Sequence, residues 1–554
     1  MDEPRDCPGG WGSTTATRRG VLAGMGLAAA TPLLSGLTAS AAVPPPAPSP
    51  PPSGAPLPGF VKWKHAIGDP RGSDVVADFG RLKEARFGTM FKDLDAFVPD
   101  DALLHDLAMA MTETREPMND IIPDGHDNPD MPSGFVYLGQ FIDHDMTHDT
   151  TPLPAKRQDP HALRNFDSPQ FDLESVYGAG PAGSPQLYAA DGVHLLLQPN
   201  SNGLEDLPRD SSGTAFVGDP RNDENMIIAQ MQMAFIKLHN RFLDQEAAGD
   251  FARAQQLTRW HFQWVIVHDF LPHVVGQALL DRMIVQVGAK VKAKTLFYKP
   301  TNPLRPMMPI EYSVGAYRWG HSGIRPEYEM HESPGISPNP AVLPIFNTDP
   351  DPLNARDLRG SRPLYADATI DWNYFFQIPG VDDPDDRNLA RLIDTQVARP
   401  LHDLPDSVVT HANGAVLALA ERNLLRGKRL GLPAGQDAAA CMKKKMPSMP
   451  PPLTNAQLDP DGRFGLANPG WAGRAPLWFY CLREAELGGG RKLGPVAGRI
   501  VAEVILGILQ TDRQSYWNAK TRFTPFGGPD FKTGALLKLA KAPIIDPHTN
   551  QPIT

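Results

Sequence analysis

Between Asn225 and Leu243 the apolar residues Ile227, Met231, Ala234, Leu238 and Phe242 recur at steps of four and three. That is the spacing of one helix face, and it predicts an amphipathic helix with a buried stripe. Arg259–Leu271 and Gly498–Leu509 read as helices on the same grounds, and Ala415–Leu425 follows the pattern less regularly. Strand-like alternation is scarce and short, as in Val193–Leu197. Pro-, Asp- and Asn-rich stretches at 149–220, 326–363 and 446–475 read as ordered surface loops. No repeat of 20–50 residues is apparent. The expected class is mainly α: one large domain with long ordered loops and little β structure.

Composition sharpens this picture. Of 554 residues 41% are hydrophobic and 21% charged, enough for a large core and incompatible with disorder of the whole chain. The net charge of −10 is spread without long like-charge blocks. No basic stripe of the kind nucleic-acid binding requires is present. Three cysteines (Cys7, Cys441, Cys481) are too few for a disulfide scaffold or a zinc ribbon.

The N-terminus reads as an address. Thr17-Arg18-Arg19-Gly20-Val21-Leu22 opens a stretch that, after Arg19, carries no charge until Lys62. Ala39-Ser40-Ala41-Ala42 then fits cleavage by signal peptidase. Paired arginines before a weakly apolar segment resemble a twin-arginine export signal. The expected organisation is a signal peptide at 1–41, a proline-rich linker at 42–58 and a folded domain at 59–554. The destination is then secretion, the periplasm or the cell envelope. A membrane anchor is the weaker reading, because Gly, Ala, Thr and Pro32 make the segment poorly hydrophobic. No stable membrane span is expected elsewhere. Cleavage leaves Cys441 and Cys481, read as buried or bridged to each other rather than catalytic.

Candidate chemistry begins with Gly139-Gln140-Phe141-Ile142-Asp143-His144-Asp145-Met146-Thr147-His148. On a helix at 100° per residue, Gln140, Asp143, His144 and Thr147 share a face, while Asp145 points well away. A His and an acid thus address one pocket and a second acid addresses something else. A zinc site from His144 and His148 lacks the Glu directly after the first His that would serve as base.

The GQFIDHD segment resembles the distal motif of the animal-type (myeloperoxidase-like) haem peroxidase superfamily, and further matches follow in the family's order. Phe171-Asp172-Leu173-Glu174-Ser175-Val176-Tyr177-Gly178 is similar to its calcium loop. Arg221-Asn222-Asp223-Glu224, followed by Leu238-His239-Asn240-Arg241, is similar to its R-x-x-E…HNR element. Asp269-Phe270-Leu271-Pro272, Arg318-Trp319-Gly320-His321, Asn423-Leu424-Leu425-Arg426 with Gly431-Leu432-Pro433, and Leu493-Gly494-Pro495 complete the set. The match spans about 135–520.

The resemblance implies a secreted peroxidase that binds haem b and calcium and reduces hydrogen peroxide while oxidising a small donor, whether halide, thiocyanate or phenol. It implies His144 as the base that moves a proton between peroxide oxygens, a task suited to a neutral imidazole. Arg221 supplies a fixed cation, and Gln140 orders water or small anions. His321 is implied as the iron ligand and Asn423 as the acceptor that orients it. Arg318 and Arg426 are implied as cofactor-binding. Asp143 and Glu224 match carboxylates that form ester links to haem. Asn225 stands where a further methionine-derived link would arise, so none is expected. The calcium ligands fall on Asp145, Ser168, the Gln170 carbonyl, Asp172 and Glu174, with Ser175 replacing Glu174 if the register slips by one. Two other readings remain: a haem-dependent fatty-acid dioxygenase, and a non-catalytic adhesion protein on the same fold. The dioxygenases carry a Tyr three residues before the proximal His, where this chain has Arg318. The intact set His144, Arg221, His321 and Asn423 argues against a mere scaffold.

Overall fold

The computed structural model describes residues 85–112, 126–148, 164–165, 169–288, 290–302, 306–332, 341–347, 356–384, 387–406, 408–409 and 415–545. The signal, the linker, the boundary at Gly59 and Ser168 lie outside the described residues. Eight longer helices carry the fold: α1 (Asp101–Ala110), α2 (Gly134–Met146), α3 (Met226–Gln245), α4 (Phe251–Val265), α5 (Leu419–Leu430), α6 (Gly435–Lys445), α7 (Leu477–Leu487) and α8 (Pro495–Thr511). The mainly α class is borne out. Strands are short and gathered into one three-stranded and four two-stranded sheets among the described residues.

The periodic segment predicted at 225–243 is α3. It starts where the sequence can cap it: Asn225 accepts from the Ile228 amide at 2.9 Å, satisfying a donor that the first turn leaves free. The 259–271 prediction starts eight residues late, since α4 begins at Phe251 behind the cap Asp250. It then passes through a π-helical turn at Ile266–Phe270 into Leu271–Val274. Pro272 has no N–H to give the carbonyl of His268, and Lys532 Nζ donates to that carbonyl instead. The weaker helix prediction at 415–425 is displaced to α5. That helix ends at Gly431, whose φ of 78° is the left-handed geometry that favours glycine.

Two expectations of loop and strand are corrected. Val193–Leu197 is not a strand; only Leu195 bridges to Tyr188. The presumed loop 326–363 contains an antiparallel pair, Glu327–His331 with Ala341–Pro344, because its alternating Tyr328, Met330, Ala341 and Leu343 all face the core.

The core is centred on α7 and α8. Every residue of α8 from Val496 to Leu509 is buried, which explains an apolar pattern that runs all round the helix. Its start is built from the Gly494-Pro495 pair. Pro495 needs no amide partner in the first turn, and the buried Glu484 accepts from the Val496 amide at 2.8 Å. A Cβ on Gly494 would lie 2.4 Å from Glu484 Cγ, so only glycine admits that carboxylate. No helix among the described residues is long and apolar enough to cross a membrane. Cys481 on α7 is buried and free, so the Cys441–Cys481 bridge does not form.

Candidate active site

α2 is the distal wall. Phe141 turns inward and stacks on Phe235 of α3 at 4.8 Å. The opposite face presents Gln140, Asp143, His144, Thr147 and His148 to a cavity of about 600 Å³. The helical projection therefore placed these side chains together as expected. His148, which the sequence argument used only for a discarded zinc site, lines the cavity as well.

His144 is 3% exposed. Its Nδ1 lies 2.8 Å from Asn222 Oδ1, and Asn222 Nδ2 donates to Gln232 Oε1 at 2.9 Å. With the Asn222 amide fixed by Gln232, its oxygen faces the imidazole, so His144 carries its proton on Nδ1 and leaves Nε2 with a lone pair. Burial, and then the Arg221 charge, hold the His144 pKa below its ordinary value, which favours this neutral form. Nε2 stands 3.6 Å from Glu224 Oε1, and Gln140 Nε2 donates to that same oxygen.

Arg221 sits in the short turn Pro220–Asp223, fastened by the residue two places before it. The Asp219 carboxylate accepts from the Arg221 amide at 2.9 Å and from Nη2 at 2.6 Å. Asp219 is fully buried, so a buried charge is paired as it must be. Arg221 Nη2 also reaches the His144 carbonyl at 3.2 Å, and Nη1 comes within 4.0 Å of Asp143. Asp143 in turn accepts from the Thr147 hydroxyl at 3.0 Å.

The proximal wall comes from a run of tight turns, Glu311–Gly315, Ala316–Trp319 and Gly320–Gly323. The buried Glu311 carboxylate anchors it by accepting from the amides of Met90 and Phe91 at 3.1 and 3.2 Å. Arg318 Nε donates to the Ser313 carbonyl at 3.1 Å, and Trp478 Nε1 of α7 donates to the Arg318 carbonyl at 3.1 Å. His321 faces the cavity, and the Asn423 amide nitrogen Nδ2 of α5 lies 2.7 Å from its Nδ1. Burial, with the cations Arg318 and Arg426, pushes the His321 pKa down to about 3. Asn423 and Arg426 are one helical turn apart, which lets one side chain meet His321 while the other lines the cavity.

Asp145 goes elsewhere, as its projection required. Its carboxylate is fully buried and accepts from Leu173 N at 2.8 Å, Ser175 N at 3.2 Å and Ser175 Oγ at 3.3 Å. Asp172 faces Arg259 at 3.4 Å. Asp145, Gln170, Asp172 and Glu174 therefore belong to one loop-and-helix junction. Among the described residues, however, no three His, Cys, Asp or Glu side chains converge on a point that could hold a metal. Asp145 is satisfied by amides, and Asp172 by a guanidinium. The junction also reaches the distal turn: the Asp219 amide donates to the Ser175 carbonyl at 3.1 Å.

Sequence reasoning missed Asn222, Gln232 and Asp219. Asp219 had a readable signal, since Asp-Pro begins a turn whose next amide seeks the Asp side chain. Asn222 and Gln232 had none, because their roles depend on a contact with α2 far away in sequence.

A family model for the animal haem peroxidase domain matches residues 150–357. That span takes in Arg221, Glu224 and His321 and leaves out His144 and Asn423. Over 215 residues the chain is 22% identical to the chorion peroxidase of Drosophila melanogaster, covering 35% of this chain. The alignment covers 26% of that protein, so the chain matches about a quarter of the relative's length. Peroxidase A of Dictyostelium discoideum superposes with a TM-score of 0.59 at 15% identity, covering 82% of this chain and 92% of that one. The fatty acid alpha-dioxygenase of Arabidopsis thaliana gives 0.53 at 14% identity, covering 82% and 76%. An Oryza sativa alpha-dioxygenase variant solved with palmitic acid gives 0.53 at 14%, covering 83% and 79%. Motifs, family model and fold agree.

Proposed function

We propose, from the chain's membership of the animal haem peroxidase superfamily, that it is a haem-dependent peroxidase that reduces hydrogen peroxide and oxidises a small donor. The observation that carries the reading is one cavity with an imidazole on each wall whose pKa is held down by burial, His144 on the distal side and His321 on the proximal. The residues fit haem b. The cavity lies in the size range of cofactor sites, and Arg318 and Arg426, which line it, would supply cations for the haem carboxylates. Bound haem would supply the iron that takes up peroxide and the two oxidising equivalents passed to the donor.

The chain's own residues would do the rest. His321 would present Nε2 to the iron. Turning the Asn423 amide so that its oxygen faces Nδ1 lets His321 donate there and frees Nε2 as ligand. His144 Nε2 would take a proton from one peroxide oxygen and return it to the other. Arg221, held by Asp219, would stabilise negative charge on the departing oxygen. Gln140 holds Glu224 in place and would order water beside it. Asp143 and Glu224 both line the cavity, which supports their esterification to haem methyls.

Calcium at the Asp145–Glu174 junction, with Ser168 among the ligands that the resemblance implies, belongs to this proposal through the loop motif alone, since the described Asp145 and Asp172 carboxylates meet amides and a guanidinium. Export by the twin-arginine route, and hence work outside the cytoplasm, belongs to it too. A dioxygenase reading is favoured by one observation: Tyr317 lines the same cavity, with its hydroxyl donating to the Gly139 carbonyl at 3.1 Å. That hydrogen bond ties it to α2, and the position three residues before His321 is Arg318.

Reconstituted protein should show a Soret band and oxidise phenols or halides on addition of peroxide. His144→Ala should keep haem and lose several orders of magnitude in the peroxide step, and His321→Ala should lose or loosen haem. Acid-acetone extraction after peroxide cycling reads the ester links separately. Absence of a Soret band would sink the whole reading, while oxygen uptake with a fatty acid and no peroxide turnover would favour the dioxygenase.

A further inference from the structure

We propose that Arg359 is the anchoring cation for an anionic reducing substrate, an organic acid whose aromatic or apolar body lies against Ile345, Phe346 and Leu358. This rests on the peroxidase reading for the chemistry and on separate residues for the recognition.

Arg359 lines the active-site cavity beside those three apolar side chains. Its position is set by the backbone of 358–361, which is stitched to the start of α3. Met226 N donates to the Leu358 carbonyl at 2.9 Å, Gly360 N to the Glu224 carbonyl at 3.0 Å and Ser361 N to the Asp223 carbonyl at 2.7 Å. A Cβ on Gly360 would fall 1.9 Å from the Asp223 oxygen, so this close approach needs glycine. The result brings Arg359 to the distal side of the cavity, next in space to Asn225.

The guanidinium is held but not saturated. Nε donates to the Asp357 carboxylate at 2.6 Å, and Arg362 Nη2 donates to the other oxygen of the same carboxylate at 2.6 Å. One fully buried carboxylate is thus shared by two guanidiniums and neutralises Arg359 only in part. Arg359 Nη2 is buried with no hydrogen-bond acceptor among the described residues. Nη2 is thus closed off from the cavity, whereas Nη1, which makes no hydrogen bond among the described residues, is left for a carboxylate arriving from the cavity. The cavity lining carries four arginines (Arg221, Arg318, Arg359 and Arg426) against two carboxylates (Asp143 and Glu224), with Asp219 behind Arg221 and Asp357 behind Arg359 offsetting part of that charge. Arg318 and Arg426 stand on the side of His321. Arg359 stands on the other, beside Asn225, and a fixed guanidinium beside apolar walls selects an acid with a hydrophobic body.

The test compares 4-hydroxyphenylacetate with 4-ethylphenol on the haem-loaded protein, two donors that share a phenol ring and differ in the carboxylate. Arg359→Gln should raise KM for 4-hydroxyphenylacetate about tenfold or more, leave its kcat within about twofold, and leave 4-ethylphenol unaffected. Arg359→Lys should recover part of the loss, since it keeps the charge and loses the planar fork. Calorimetric titration with 4-hydroxyphenylacetate, in the absence of peroxide, should show the same tenfold weakening. If neither donor is oxidised and the calorimetric difference stands, the peroxidase reading fails and the anchor survives. Equal effects on both donors, or loss of haem from Arg359→Gln, would overturn the anchor. Should that variant not fold, rising salt on the wild type should weaken 4-hydroxyphenylacetate selectively, and equal sensitivity of the two donors would overturn it as well.

Discussion

At the scale of single residues, the site depends on partners that fix proton positions. Asn222 is the clearest case. Its amide is oriented by Gln232 and sets which nitrogen of His144 bears the proton. Asn222→Val removes the acceptor at similar volume, frees the imidazole to exchange tautomers and should slow the peroxide step about a hundredfold with haem content unchanged. Stopped-flow mixing of the haem-loaded variant with peroxide checks this, and an unchanged rate constant would make Asn222 a packing residue only. The motif residues themselves were legible: Gln140, Asp143, His144, Arg221, Glu224, Arg318, His321 and Arg426 all meet at one cavity. Asn222 and Gln232 were not, because a hydrogen bond between side chains 78 positions apart leaves no local pattern.

At the scale of elements, the junction around Asp145 couples a helix, a loop and a turn. Asp145 accepts from the 173 and 175 amides, the Ser175 carbonyl accepts from Asp219, and the Asp219 carboxylate holds Arg221. Asp145→Ala would strand two amides and a hydroxyl in the interior, a loss on the order of 3–5 kcal/mol. The melting temperature should drop, and the peroxide step should slow because Arg221 loses its fixed position. Adding a chelator to the wild type separates the two accounts of this junction. A lower melting temperature, with calcium found by elemental analysis, supports an ion there; indifference leaves the amide clamp to act alone. Helix existence was legible from period, as α3 and α8 show. Boundaries were less so: α4 begins before its apolar repeat does, at a cap that only Asp250 announces. The strand pair at 327–344 stayed hidden among prolines because its alternation is only four or five residues long.

At the scale of the whole molecule, buried ionisable groups set how stability responds to pH. Burial holds His239, His261 and His268 down to about 4, below the roughly 6.5 of an unfolded chain. As pH falls through that window only the unfolded state gains protons, and stability is lost. Burial pushes Glu311 and Glu484 up to about 7 and Asp371 up to about 6. These carboxyls keep protons in the native state that an unfolded chain releases above about pH 4.5, so their contribution is lost as pH rises through that range. The two sets oppose each other at about 1.4 kcal/mol per proton per pH unit. His144, His321 and His331, also lowered, tip the balance toward the histidines. Melting temperature of the cofactor-free protein should decline gently from about pH 6.5 to 4.5 and more steeply just below, where the carboxyls are protonated in both states. Thermal melts across pH 4 to 8 read this directly, and a stability that climbs steadily on acidification would contradict it.

The contact between His321 and Asn423 spans 102 positions of chain. His144 lies further back still, on a helix that needs α3 beside it before its face is set. A nascent chain that has emerged only as far as the proximal turns therefore holds an imidazole with nothing to orient it and a distal wall with nothing opposite. Non-local closures of this kind come late in folding, after the loops between them have lost their freedom. Capture of the cofactor is then a sign that the chain has finished folding. A fragment limited to 150–357 would carry the proximal imidazole and the distal arginine, and still have no cavity to put them in.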